Sequence, residues 1–143
     1  MLFRVGIETP EDDDTAYSII IPALCNDHYT TVSAADTFDE IVPMAREAAF
    51  SMMEEMALCD DLDIVAIAKA NQQNYSKDPE YSDFKEWAFI DIDIDGVIGV
   101  QKRINISMSD LLISHIDQIV RHGSQYKDRS DFLSKAALNQ LSH

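Results

Sequence analysis

Arg103, Asn105 and Ser107 stand at alternate positions in Lys102-Arg103-Ile104-Asn105-Ile106-Ser107-Met108, with Ile104, Ile106 and Met108 completing the alternation. Successive strand residues point to opposite faces, so a guanidinium, an amide and a hydroxyl project together while the apolar side chains form the reverse face. Such a triplet can read base edges. Asp91-Ile92-Asp93-Ile94-Asp95-Gly96 opens like a calcium loop, but the twelfth position, where the loop needs a bidentate Glu, is Lys102. Ile92 and Ile94 also favour a strand over a bent loop. The same carboxylates could hold magnesium in a nuclease, yet nothing nearby supplies further ligands or a general base. No metal, cofactor or catalytic residue is assigned. His28, His115, His122 and His143 show no nucleophile or carboxylate pattern around them, and Cys25 and Cys59 lack metal-ligand spacing, so these read as surface histidines and incidental thiols.

The elements that must position the triplet follow from periodicity. Ser109 can cap a helix running to His122, with Leu112, Ile116, Ile119 and Val120 on one face and Gly123 as its stop. A second helix from Asp128 should bury Phe132, Leu133, Ala136, Ala137 and Leu141. A lone strand with two helices leaves backbone groups unpaired and buries too little apolar surface to stand alone. Pairing the strand with its copy from a second chain gives a two-stranded ribbon that fits a DNA major groove, so a homodimer is expected. Upstream, alternation predicts strands at Leu2–Glu8, Ala16–Ile21, Tyr29–Ser33 and Trp87–Ile94. Asp36-Thr37-Phe38-Asp39-Glu40 opens the main helix with a capping box, and Ile41, Ala45, Ala48, Ala49, Met52, Met53 and Met56 share one face. Pro43 predicts a kink or a fresh helix start. Leu62–Ala70 reads as a helix, Asn71–Lys85 as surface loop, and residues 95–100 as a short linker between domains at 1–95 and 100–143.

Charge divides at the same place. Of the 26 Asp/Glu and 11 Lys/Arg that give the 143-residue chain its net -15, residues 1–99 hold 22 and 5, whereas residues 100–143 hold 4 and 6. The acidic block repels nucleic acid and attracts a basic protein, mainly by raising the association rate. With no run of about 18 apolar residues and no signal-like apolar core after Met1, a cytoplasmic chain without membrane association is expected.

Arg103-Ile104-Asn105-Ile106-Ser107, then Leu112-x3-Ile116-Asp117, then Arg129-Ser130-x-Phe132-Leu133 resembles the ribbon-helix-helix fold of bacterial repressors. The resemblance places Arg103, Asn105 and Ser107 on bases and the backbone near Arg129 and Ser130 on a phosphate, in keeping with the anion preference of helix N-termini. Lys102 and Lys127 would add phosphate contacts. The whole chain resembles the HicB family of antitoxins, through the first strand pair, Ile21-Pro22-Ala23-Leu24-Cys25, Asp36-Thr37-x2-Glu40 and Trp87 to Asp95. Where that family commonly has Asp and Gly after the second strand, this chain has Ala23 and no glycine.

The family resemblance implies an α+β fold, with a partial ribonuclease-H-like sheet and helix followed by the ribbon-helix-helix unit. It implies a non-enzymatic antitoxin that silences a small basic HicA-type ribonuclease toxin and represses its own operon as a dimer or tetramer, through toxin contacts the sequence leaves unidentified. Two competing readings are a stand-alone repressor with a ligand-sensing N-terminal domain and a metal-dependent nuclease using Asp91 and Asp93.

Overall fold

Alternating apolar residues build an antiparallel sheet. In a computed structural model describing residues 1–99 and 102–143, the strands are β1 (Leu2–Glu8), β2 (Tyr17–Ile20), β3 (Val32–Ala35) and β4 (Glu86–Asp91), in the order β3-β2-β1-β4. Every neighbouring pair runs antiparallel, with Gly6 opposite Ile20, Arg4 opposite Phe89 and Ile19 opposite Ser33. Phe3, Val5, Ile19 and Ile90 all fall on one face and are buried there.

Helix α1 (Ile41–Leu58) covers that face with Ile41, Ala45, Ala49, Met53 and Met56. Its small alanines let helix and sheet approach closely, and the methionines fill the remaining irregular space. The Glu40 carboxylate accepts the Asp36 and Thr37 N–H groups at 3.0 and 3.3 Å, ahead of a single 3-10 turn at Phe38–Glu40. Helix α1 then begins at Ile41, so Pro43 falls in its first turn, where no intrahelical N–H bond is needed. Of the two outcomes expected at Pro43, the fresh start occurs, but two residues earlier.

The third strand lies later than the expected Tyr29–Ser33. Asn26 Oδ1 accepts the His28 and Tyr29 N–H groups at 2.8 and 3.0 Å, and the buried Thr31 hydroxyl donates to Leu24 O at 2.7 Å. These bonds hold residues 26–31 in a turn until pairing can begin at Val32. Helix α2 (Ile64–Asn71) starts after Asp63, whose carboxylate accepts the Ala66 N–H. It packs against the Pro22–Leu24 turn and β1, burying Ile67.

The stretch expected as polar surface loop carries an aromatic cluster. Tyr75 stacks near-parallel to Trp87 with ring centres 6.2 Å apart, and the Tyr81 ring stands edge-on to both. Trp87 Nε1 donates to Phe84 O, anchoring the cluster on the sheet face opposite α1. Gly6 is required there, since a Cβ would lie 2.9 Å from Ile20 Cγ2 and 3.0 Å from the Trp87 ring.

The chain forms two compact units, Met1–Gly99 and Val100–His143. Ile94 and Val97 join the core of the first, so its packing continues past residue 95, to a turn ending at Gly99 with φ +99°. Val100, the last residue of the expected linker and the first of the expected second domain, lies outside the described residues. The second unit contains α3 (Asp110–His122) and α4 (Arg129–Leu141). Among the described residues, no helix is long and apolar enough to cross a membrane.

Candidate functional site

Residues 102–109 have no regular secondary structure in the single chain, in place of the expected strand at 102–108. A strand needs a neighbour to take its N–H and C=O groups, and one copy of this segment offers none. The alternation itself has visible consequences. Ile104 and Ile106 are 76% and 57% exposed, an unfavourable state for an apolar stripe unless something covers it. Lys102, Arg103, Asn105 and Ser107 are exposed as well.

Ser109 terminates this segment and caps α3, its hydroxyl accepting the Leu112 N–H at 3.3 Å. Gly123 ends the helix by donating its N–H to Ile119 O at 3.1 Å. Ile116 is buried, whereas Leu111, Leu112 and Ile119 remain exposed. The expected burial along α4 is only partial: Phe132 and Leu133 are half-buried, while Ala136, Ala137 and Leu141 are exposed. Two short helices enclose too little volume to bury both faces.

The junction between α3 and α4 is polar. Arg129 makes a bidentate pair with Asp117, Nε to Oδ1 at 3.0 Å and Nη2 to Oδ2 at 2.8 Å. These bonds hold the Asp117 carboxyl below the usual carboxylate range and raise the Arg129 guanidinium correspondingly. Asp131 accepts the Lys127 N–H and the Lys135 ammonium, each at 3.0 Å, and its carboxyl is likewise lowered. Lys135 also lies over the Tyr126 ring, which packs edge-on against Phe132.

Asp128 caps α4 by accepting the Asp131 N–H at 2.8 Å. The expected phosphate site therefore has two carboxylates beside it. Its donors are the first-turn N–H groups of Arg129 and Ser130, which have no acceptor within the helix. The Arg129 guanidinium is committed to Asp117. That commitment was unreadable from spacing, because the two residues lie 12 apart across the helix junction.

Asp91, Asp93 and Asp95 are exposed, while Ile92 and Ile94 between them are buried. The alternating burial continues to Ile94, but β4 itself ends at Asp91, short of the expected Ile94, and Asp93 Oδ1 accepts the Asp95 N–H in a local turn. Among the described residues, no three His, Cys, Asp or Glu side chains are grouped to hold a metal. All four histidines are exposed. Cys59 is exposed and Cys25 partly buried, with its Sγ donating to Ile21 O at 3.3 Å; burial raises its thiol pKa.

The chain is α+β, with a four-stranded antiparallel sheet in an acidic first unit and two capped helices in the second. The family model described as HicB-like antitoxin of bacterial toxin-antitoxin systems matches residues 3–137, and the chain belongs to that family. It is 35% identical over 142 residues to an uncharacterized 14.9 kDa protein in the rep-hol intergenic region of Haemophilus phage HP1 (strain HP1c1), covering 99% of this chain and 98% of that protein. Its fold is similar to the crystal structure of the antitoxin HicB from Burkholderia pseudomallei, with TM-score 0.68, 24% identity and coverage of 99% and 98% of the two chains. The antitoxin HicB3 structure is also similar, with TM-score 0.59, 22% identity and coverage of 98% and 97%.

Proposed function

We propose that residues 1–99 bind and silence a small basic HicA-type ribonuclease toxin, and that residues 102–141 form a ribbon-helix-helix homodimer that represses the operon encoding both proteins in the cytoplasm. The observation carrying this reading is the charge division in a chain of the HicB-like family: 22 Asp/Glu against 5 Lys/Arg before residue 100, and 4 against 6 after it. An enzyme that cleaves RNA needs a cationic surface for its substrate, and an acidic domain can occupy that surface. The sheet and α1 are taken as a partial ribonuclease-H-like fold without ribonuclease activity, since function resides in sites rather than folds.

The exposed Ile104 and Ile106 support the dimer, because pairing two copies of 102–108 would cover them and satisfy the strand backbone. Arg103, Asn105 and Ser107 would then face the major groove. Lys102, Lys127 and the N–H groups of Arg129 and Ser130 would hold phosphates. A second ribbon dimer could join the first as a tetramer.

Co-purification of the tagged chain expressed from its native operon tests the reading. A small basic protein should accompany it at stoichiometric level and cleave RNA once separated. Recovery of the chain alone would favour a stand-alone repressor. RNA cleavage by the pure chain that disappears on changing Asp91 and Asp93 to Asn would establish the nuclease reading instead.

A further inference from the structure

Among the described residues no strand pairs with the outer side of β4, and the Met1–Ile92 pair fixes the hydrogen-bond phase of that edge. Met1 N donates to Ile92 O at 2.8 Å and Ile92 N to Met1 O at 2.9 Å, so this pair exchanges both bonds. Bonded and non-bonded pairs alternate in an antiparallel ladder. Ile90 and Ala88, opposite Phe3 and Val5, therefore turn their backbone groups toward β1. Trp87, Phe89 and Asp91 turn theirs outward. Asp91 O confirms the phase by accepting Arg46 Nε from α1 at 3.2 Å.

Both flanks of this edge offer apolar support. On the face opposite α1, the Phe89 ring is 60% exposed, with the Arg4 guanidinium 4.8 Å from its centre and Leu2 exposed nearby. On the α1 side, Val42 and Phe50 lie one turn to either side of Arg46 and are partly exposed. Glu86 and Asp93 place exposed carboxylates along the same strand and its continuation, and Asp91, also exposed, pairs with the Met1 ammonium at 3.2 Å. A second copy of this chain would bring the same acidic groups against themselves, whereas a basic strand would neutralise them. The opposite edge, β3, has only four residues, with small side chains after Val32.

We propose that the outer edge of β4 is the docking strand for the basic partner, which adds a strand of its own alongside Trp87–Asp91. This rests on the reading that residues 1–99 bind such a partner. Main-chain bonds would provide affinity, while Phe89 on one side and Val42 with Phe50 on the other would receive alternate side chains.

The test is amide hydrogen exchange on the full chain, alone and saturated with the small basic protein that co-purifies with it. The Trp87, Phe89 and Asp91 amides should exchange fast in the free chain and slow markedly in the complex, while Ala88 and Ile90 remain slow in both. Phe89→Pro removes an outward N–H without removing a β1 ladder bond and should weaken partner binding about tenfold beyond Phe89→Ala. Partner binding that leaves this alternating pattern unchanged would overturn the edge assignment alone. Protection that grows with chain concentration in the absence of partner would assign the edge to a second copy instead. If no basic protein binds the full chain, the partner reading fails and takes the edge assignment with it.

Discussion

Arg103 and Arg129 have the same side chain in different settings. Arg103 is exposed on the segment expected to enter the groove, whereas the Arg129 guanidinium is tied to Asp117. Arg103→Ala should cost roughly 1–3 kcal/mol of operator binding if it reads a base, and should leave toxin inhibition intact. Arg129→Ala should loosen the α3–α4 junction while leaving the salt dependence of operator binding unchanged; loss of a true phosphate contact would reduce the logarithmic slope by about 1. Operator titrations across several salt concentrations distinguish these outcomes. Alternation groups Arg103, Asn105 and Ser107 on one face only once residues 102–108 form a strand, and the single chain has no regular secondary structure there. The Arg129–Asp117 pair was not legible in the sequence, since it depends on how two helices meet.

At the scale of elements, local alternation and capping were readable, and tertiary closure was not. β1, the α1 face, the Ser109 cap and the start of α4 beside Asp128 follow from short-range pattern. The start of β3 depends on side-chain bonds from Asn26 and Thr31, and the aromatic cluster on a loop that folds back to Trp87. Gly6 carries the strictest packing demand. Gly6→Ala should destabilise the first unit by about 1–3 kcal/mol, because Ile20, Trp87 and Phe84 must all shift; urea unfolding measures it, and an unchanged midpoint would contradict that packing. The α3–α4 junction has a pH dependence of defined sign. Asp117 and Asp131 have carboxyls lowered from 3.8, so their pairs stabilise the fold above that value and lose this contribution as pH falls through the lowered folded values. Amide protection factors in α3 and α4, taken relative to the intrinsic exchange rate at each pH, should fall over that acid window, less so in Asp117→Asn.

At the scale of the whole molecule, the charge division reconciles the proposed DNA-reading segment with a net charge of -15. The acidic first unit opposes DNA approach, so neutralising it with a basic partner should tighten operator binding, most clearly at low salt. Fluorescence titrations of operator with and without bound toxin should show this gain shrink as salt rises; weakening at every salt concentration would contradict it. The 35% identity to a phage protein extends over 99% of the chain, so the relation spans both units rather than one transferable module. The proposed role of this chain rests on its silencing a ribonuclease by direct binding. The most direct measurement is RNA cleavage by the separated small basic protein while the pure full-length chain is added back. Cleavage should fall to zero at a fixed stoichiometric ratio; cleavage that persists with excess chain present would contradict direct silencing.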